Sequence, residues 1–148
     1  MDIDALRQQL TDARAHLVAA LQGASESDFN AELTPGLTVV VALADLAREE
    51  RATVEEARRL AGLPPRPSPS AHGEVTRRFT PPPVMHDLAG ARHETSLLVD
   101  VLGGPEAASP ASVEAAAALV RTIVATEEAL AAQIASRVGQ KPGATPPA

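Results

Sequence analysis

The stretch that most constrains this chain runs from Thr38 to Gly62, TVVVALADLAREERATVEEARRLAG. At about 100° per residue, Val39, Leu43, Leu46, Thr53, Ala57 and Ala61 fall on one face, with Glu50 in the middle of that face. Thr38 is a natural N-cap and Gly62 a natural C-terminal stop. The opening Val39-Val40-Val41 has strand character, but the Ala, Leu, Glu and Arg that follow favour helix. A long helix whose apolar stripe carries a carboxylate must bury that stripe against other helices and find a partner for the charge. Glu55 and Arg59, at the favourable i,i+4 polarity, are expected to pair on its solvated side.

Three further helices supply such partners. The first is expected from Asp2 or Asp4 to about Leu21, with Ile3, Leu6, Leu10, Leu17 and Leu21 on one stripe, Arg14 near it, His16 on its flank and Gly23 as the stop. Ser25 and Asp28 stand at capping-box spacing, so a short helical turn is expected before Pro35 and Gly36 break the chain. From Leu63 to about Thr80 the chain is rich in proline and serine and reads as a long extended crossover between the second and third helices, with a small basic spot at Arg77 and Arg78. The third helix begins within Pro81-Pro82-Pro83 and ends at Gly103-Gly104, with Val84, Leu88, Ala91, Thr95, Leu98 and Leu102 as its stripe. His86 and His93 lie opposite that stripe, two turns or about 10 Å apart, and read as surface histidines. The fourth starts at Ser109 and Pro110 and runs to about Val138, lining up Ala116, Val120, Ile123, Leu130 and Ile134 with Glu127 inside the stripe. The run Ala115 to Ala118 offers a smooth surface suited to close packing. The expectation is all-α: a single four-helix-bundle domain over residues 1–138 and a disordered tail over 139–148.

Composition narrows the function. With two Phe and no Trp or Tyr, the core must be aliphatic. The formal net charge of -6, with no long Lys/Arg run, argues against nucleic-acid binding. The chain has no cysteine, which excludes disulfides, a thiolate nucleophile and a Cys-ligated metal. No apolar run approaches the roughly 18 residues of a membrane span, and MDIDALRQQL lacks the pattern of a signal peptide. A cytoplasmic protein is expected, with no nucleic-acid or membrane partner.

The stripe carboxylates Glu50 and Glu127 are the anomaly, since an unpaired buried charge is costly. They either reach the rim or pair with Arg14 or Arg92, or they form a site together with Asp45 and Glu49, which lie toward the flank of the same surface. Asp45, Glu50 and Glu127 are therefore the candidate acid-base residues. No Glu has His three residues later, as a di-iron bundle needs, and there is no phosphate loop, His-Glu-x-x-His or Ser-His-Asp arrangement.

The combination of PGLTVVVALADLAREE, a Pro-rich crossover and VRTIVATEEALAAQI resembles the DinB/YfiT-like superfamily of four-helix bundles, which includes maleylpyruvate isomerase-like and low-molecular-weight-thiol transferases. The resemblance covers nearly the whole chain except the tail. That family commonly opens its second helix with Trp-Ser/Thr, places a histidine seven residues after the Ser/Thr, and carries His-x-x-x-His in its last helix, together holding one divalent metal. Here Leu37 stands in place of the Trp and Thr38 fits; Asp45 occupies the first histidine position, Thr126 and Leu130 the other two. Glu50 and Glu127 match acidic positions that often accompany the ligands.

Three neutral imidazoles would leave open positions on a Zn- or Ni-type ion to activate water or thiol. Leucine cannot coordinate and threonine does so poorly, so the resemblance implies a bundle that has lost its metal and needs no cofactor. The expected function is a binding or interaction module, homodimeric through exposed Ala- and Leu-rich surface, with room for a small-molecule ligand. The alternative is a thiol-dependent transferase or isomerase working from a residual acidic site at Asp45, Glu50 and Glu127. A third reading makes the acids ordinary interhelical salt bridges with no ligand site.

Overall fold

The computed structural model describes residues 2–66, 80–105, 107 and 109–138. The chain there is mainly helical: α1 (Ile3–Leu21), α2 (Glu26–Phe29), α3 (Val39–Leu60), α4 (Pro81–Leu102) and α5 (Pro110–Val138), with a two-stranded hairpin of β1 (Glu32–Thr34) and β2 (Leu37–Thr38) between α2 and α3. Among the described residues no helix is long and apolar enough to cross a membrane.

Side chains fix the ends of these helices. Asp2 accepts from the backbone N–H of Ala5 at 3.0 Å to start α1. Ser25 and Asp28 form a reciprocal capping box on α2. Thr38 caps α3 by accepting from Val41 N–H, and Ser109 Oγ accepts from Ser112 N–H at 3.1 Å to start α5 behind Pro110. At the end of α3, Gly62 takes φ 74°, letting its N–H reach Arg59 O and the Leu63 N–H reach Arg58 O. That is a Schellman closure, and it turns Leu63 back into the core.

The hairpin was not expected from the sequence. Its antiparallel strands pair Glu32 with Thr38 and Thr34 with Leu37 around Pro35-Gly36. Gly36 has φ 82°, as a turn with Pro at its second position and Gly at its third requires. Strands this short show no alternation for a sequence pattern to reveal. Their role is local: Ala31 O accepts from Val39 N–H at 3.0 Å, which ties the hairpin to the first turn of α3.

Packing follows the stripes. α1 lies chiefly against α5, α3 lies against both α4 and α5, and α1 and α4 meet over a smaller area. All six expected stripe residues of α4 are buried, as are the five of α5 together with Glu127. On α3 the expected Thr53 is only half-buried, and the neighbouring Val54 turns inward instead. The expected Glu55–Arg59 pair also gives way: Arg59 Nε donates to Glu56 at 2.9 Å, a spacing one residue shorter. Those hydrogen bonds hold the exposed Glu56 carboxyl below the ordinary carboxylate range.

The crossover is pinned at its start, where Arg58 donates to Pro64 O and Arg66 pairs with Glu94 on α4 at 3.2 Å. The rest of the crossover, with Arg77 and Arg78, and the tail from 139 lie outside the described residues.

Candidate functional site

The interior is divided in two. One apolar cluster gathers Leu17, Leu43, Leu46, Val84, Leu88 and Ile134; the other gathers Leu6, Leu10, Val54, Leu98, Val120 and Ile123. Between them each long helix contributes one charge: Arg14 from α1, Glu50 from α3, Arg92 from α4 and Glu127 from α5. Stripe periodicity puts them there, since Arg14 falls between Leu10 and Leu17, Glu50 between Leu46 and Val54, and Glu127 between Ile123 and Leu130.

Both carboxylate side chains are 0% exposed and meet both guanidiniums, whose side chains are 19% exposed in Arg14 and 12% in Arg92. Arg92 donates from Nε to Glu50 Oε2 at 3.0 Å, and from Nη2 to Glu50 Oε1 at 3.3 Å and to Glu127 Oε1 at 2.7 Å. Arg14 donates from Nε to Glu127 Oε2 at 3.0 Å and from Nη2 to Glu127 Oε1 at 3.1 Å, with Glu50 Oε1 3.6 Å away. Each arginine also donates from Nη1 to a backbone carbonyl on a neighbouring helix, Arg14 to Leu88 O at 3.2 Å and Arg92 to Leu10 O at 2.7 Å. The Thr95 hydroxyl lies 2.6 Å from Glu50 Oε2. Two positive and two negative charges form a neutral layer in which every carboxylate oxygen has a donor.

This arrangement decides what the acids can do. Glu50 and Glu127 come together, but their oxygens are engaged and sealed from bulk water. Beside Glu50, between α3 and α5, there is a hollow of only about 40 Å³, room for water and no substrate.

Asp45 stands elsewhere, on the wall of a separate hollow of about 500 Å³ between α3 and α5, shared with Thr126, Leu130, Glu49 and Gln133. The three positions matched to the family's histidines therefore do surround one space. The Asp45 carboxylate is one-third exposed and accepts from Arg48 at 2.6 Å on its own helix. Among the described residues no three His, Asp or Glu side chains gather closely enough to ligate one ion.

No protein-family model, curated protein or solved structure matches this chain.

Among the described residues the histidines contribute no shared centre. His86 and His93 are exposed on the outer side of α4, and His16 meets Glu128 at 2.8 Å across the α1–α5 surface. A second arginine bridge joins α3 to α4, where Arg51 Nη2 donates to Asp87 Oδ1 at 2.6 Å, leaving its buried Nε and Nη1 without partners. Gly90 makes that approach possible, because a Cβ there would stand 3.0 Å from Arg51 Nη2.

The space between α1 and α4 has no counterpart among the expectations from sequence. A groove of about 770 Å³ runs there, with Arg14 and Arg92 among its lining and Val18, Ala15 and Ala19 on its α1 side. Val18 is 51% exposed and is the one large hydrophobic residue left in solvent among the described residues. That residue was the available signal, an apolar side chain next to the α1 stripe with nothing in the local sequence to cover it.

Proposed function

We propose that this chain is a DinB-like helical bundle working in the cytoplasm as a non-catalytic binding or interaction module. The observation that carries the reading is the engagement of Glu50 and Glu127. Acid-base work requires a carboxyl group within hydrogen-bond reach of a substrate proton, and these two are held by Arg14, Arg92 and Thr95 inside a closed layer. Asp45 remains, paired with Arg48 and flanked by a threonine and a leucine where the resembling family has imidazoles. Asp45 and Glu49, with no third carboxylate or imidazole beside them among the described residues, give a divalent ion too little to hold.

The thiol-dependent alternative would place a metal in the Asp45 hollow, and metal uptake distinguishes the two. Protein prepared without a histidine tag, equilibrated with Zn²⁺, Ni²⁺ or Mn²⁺ and then gel-filtered, is expected to retain well under one equivalent of any of them. One equivalent retained by the wild type and lost from Asp45→Asn would establish the alternative.

The interaction half of the proposal rests on α5. Ala115, Ala118, Thr122, Ala125, Ala129 and Ala132 are all exposed at alternating spacings of three and four, the period of a helix seam. Small side chains there would let a second copy of α5 approach closely. The protein is expected to run as a dimer in light scattering coupled to size exclusion, and Ala118→Glu is expected to shift it to monomer with unchanged helicity. A wild type that stays monomeric at high concentration excludes this interface.

A further inference from the structure

The α1–α4 groove differs from the rest of the surface in having charge at its floor and hydrocarbon on one wall. A guanidinium has five N–H donors. Arg14 directs one from Nε, one from Nη1 and one from Nη2 to acceptors within 3.2 Å. Arg92 directs one from Nε, one from Nη1 and two from Nη2. Each Nη1 therefore keeps one N–H with no acceptor among the described residues, and both residues line the groove.

From Arg14 onward the two halves of the groove differ. Toward the start of α1 it is crossed by Arg7 Nη2 donating to Asp100 on α4 at 2.7 Å, an ion pair that blocks an extended ligand on that side. Toward Gln22, about 12 Å along the axis from Arg14, the α1 wall presents Ala15, Val18 and Ala19, which themselves span about 6 Å, with no charged residue on that part of the lining.

We propose that this groove binds a medium-chain aliphatic monocarboxylate, its head group accepting the free Nη1 N–H donors of Arg14 and Arg92 and its alkyl chain lying along Ala15, Val18 and Ala19. A guanidinium pair recognises a carboxylate by charge-assisted hydrogen bonds. The layer as a whole is neutral, but its arginines border the groove while the Glu50 and Glu127 side chains are fully buried behind them, so a cationic head would find donors and no carboxylate in reach, and an uncharged head would forgo the charge assistance. The volume falls within the range of small-molecule sites. The proposal deepens the binding-module reading by naming a ligand class, and it concerns a different face from the Asp45 hollow.

The test is titration with decanoate below its micellar concentration, followed by calorimetry and by amide chemical shifts. Decanoate is expected to saturate one site and to move resonances of α1 and α4, with decanol and decyltrimethylammonium at least tenfold weaker. Val18→Glu, at a position already half in solvent, is expected to weaken decanoate at least tenfold with an unchanged melting temperature; Arg14→Lys should weaken it without abolishing the fold. Equal binding of decanoate and decanol, shifts confined to other helices, or undiminished binding by Val18→Glu would each overturn the proposal. Any of these leaves the non-catalytic reading standing, whereas stoichiometric metal at Asp45 ends that reading without touching the groove.

Discussion

Changing Arg92 to methionine is expected to lower the free energy of unfolding by about 3–5 kcal/mol. Arg92 supplies two hydrogen bonds to Glu50, one to Glu127 and one to Leu10 O, so its head group ties α4 to each of the other three long helices. Methionine keeps the apolar stem and removes the charge. Glu127 would retain Arg14, but Glu50 would be left with the Thr95 hydroxyl and an Arg14 nitrogen 3.6 Å away, inside a layer where its side chain is 0% exposed. An uncompensated buried carboxylate is the costly outcome.

The mirror-image change, Glu127→Leu, is expected to cost less, about 1–3 kcal/mol. It strands positive charge, and the two arginines border the groove, so their long stems can carry the heads toward water. Denaturant unfolding of both variants, with m-values compared to detect any change in the unfolded state, checks the order. Were Glu127→Leu the more damaging of the two, the groove would not be the relief path described here.

The helices and their ends were legible because both rest on local chemistry. A stripe at a period near 3.6 picks out six of the seven buried residues of α4, leaving only Val99, and Asp2, Thr38, Ser109 and Gly62 mark boundaries by what their side chains or backbone can do at a helix terminus. Local chemistry also flagged Glu50 and Glu127 as charges in the wrong place and offered Arg14 and Arg92 as partners. It could not show that all four lie at one height. That depends on the axial register of helices far apart in sequence, since Arg14 and Glu127 are separated by 113 positions. The groove was illegible for a related reason: it exists because α1 leans on α5 and leaves α4 partly uncovered, and no stripe records which helices become neighbours. Thr95 shows a smaller gap. Its place on the α4 stripe was evident, while the hydroxyl's contact with Glu50 needed α3 to be set beside it.

Replacing all four charges together, as Arg14→Met, Glu50→Leu, Arg92→Met and Glu127→Leu, is expected to undo the damage of the single change and leave the protein as stable as wild type or up to about 4 kcal/mol more stable. The four ions pay a desolvation cost that their mutual hydrogen bonds only partly return, and an apolar layer of similar volume would join the two clusters now separated by the charges. Strong non-additivity is the signature to look for: the quadruple variant should unfold at higher denaturant than Arg92→Met alone, although it contains that substitution. Stability is not the only readout. With charges in place, sliding one helix by a turn, about 5.4 Å, would set a carboxylate against leucine, so the layer selects one register among several that the smooth Ala-rich faces would tolerate. Once the layer is apolar that selection is gone, and methyl resonances of Leu17, Leu88 and Ile134 should broaden or double even as the unfolding midpoint rises. A quadruple variant that is destabilised by the sum of its parts, with methyl lines as sharp as wild type, would reverse the assignment and make the ion layer a net source of stability instead of a device for alignment.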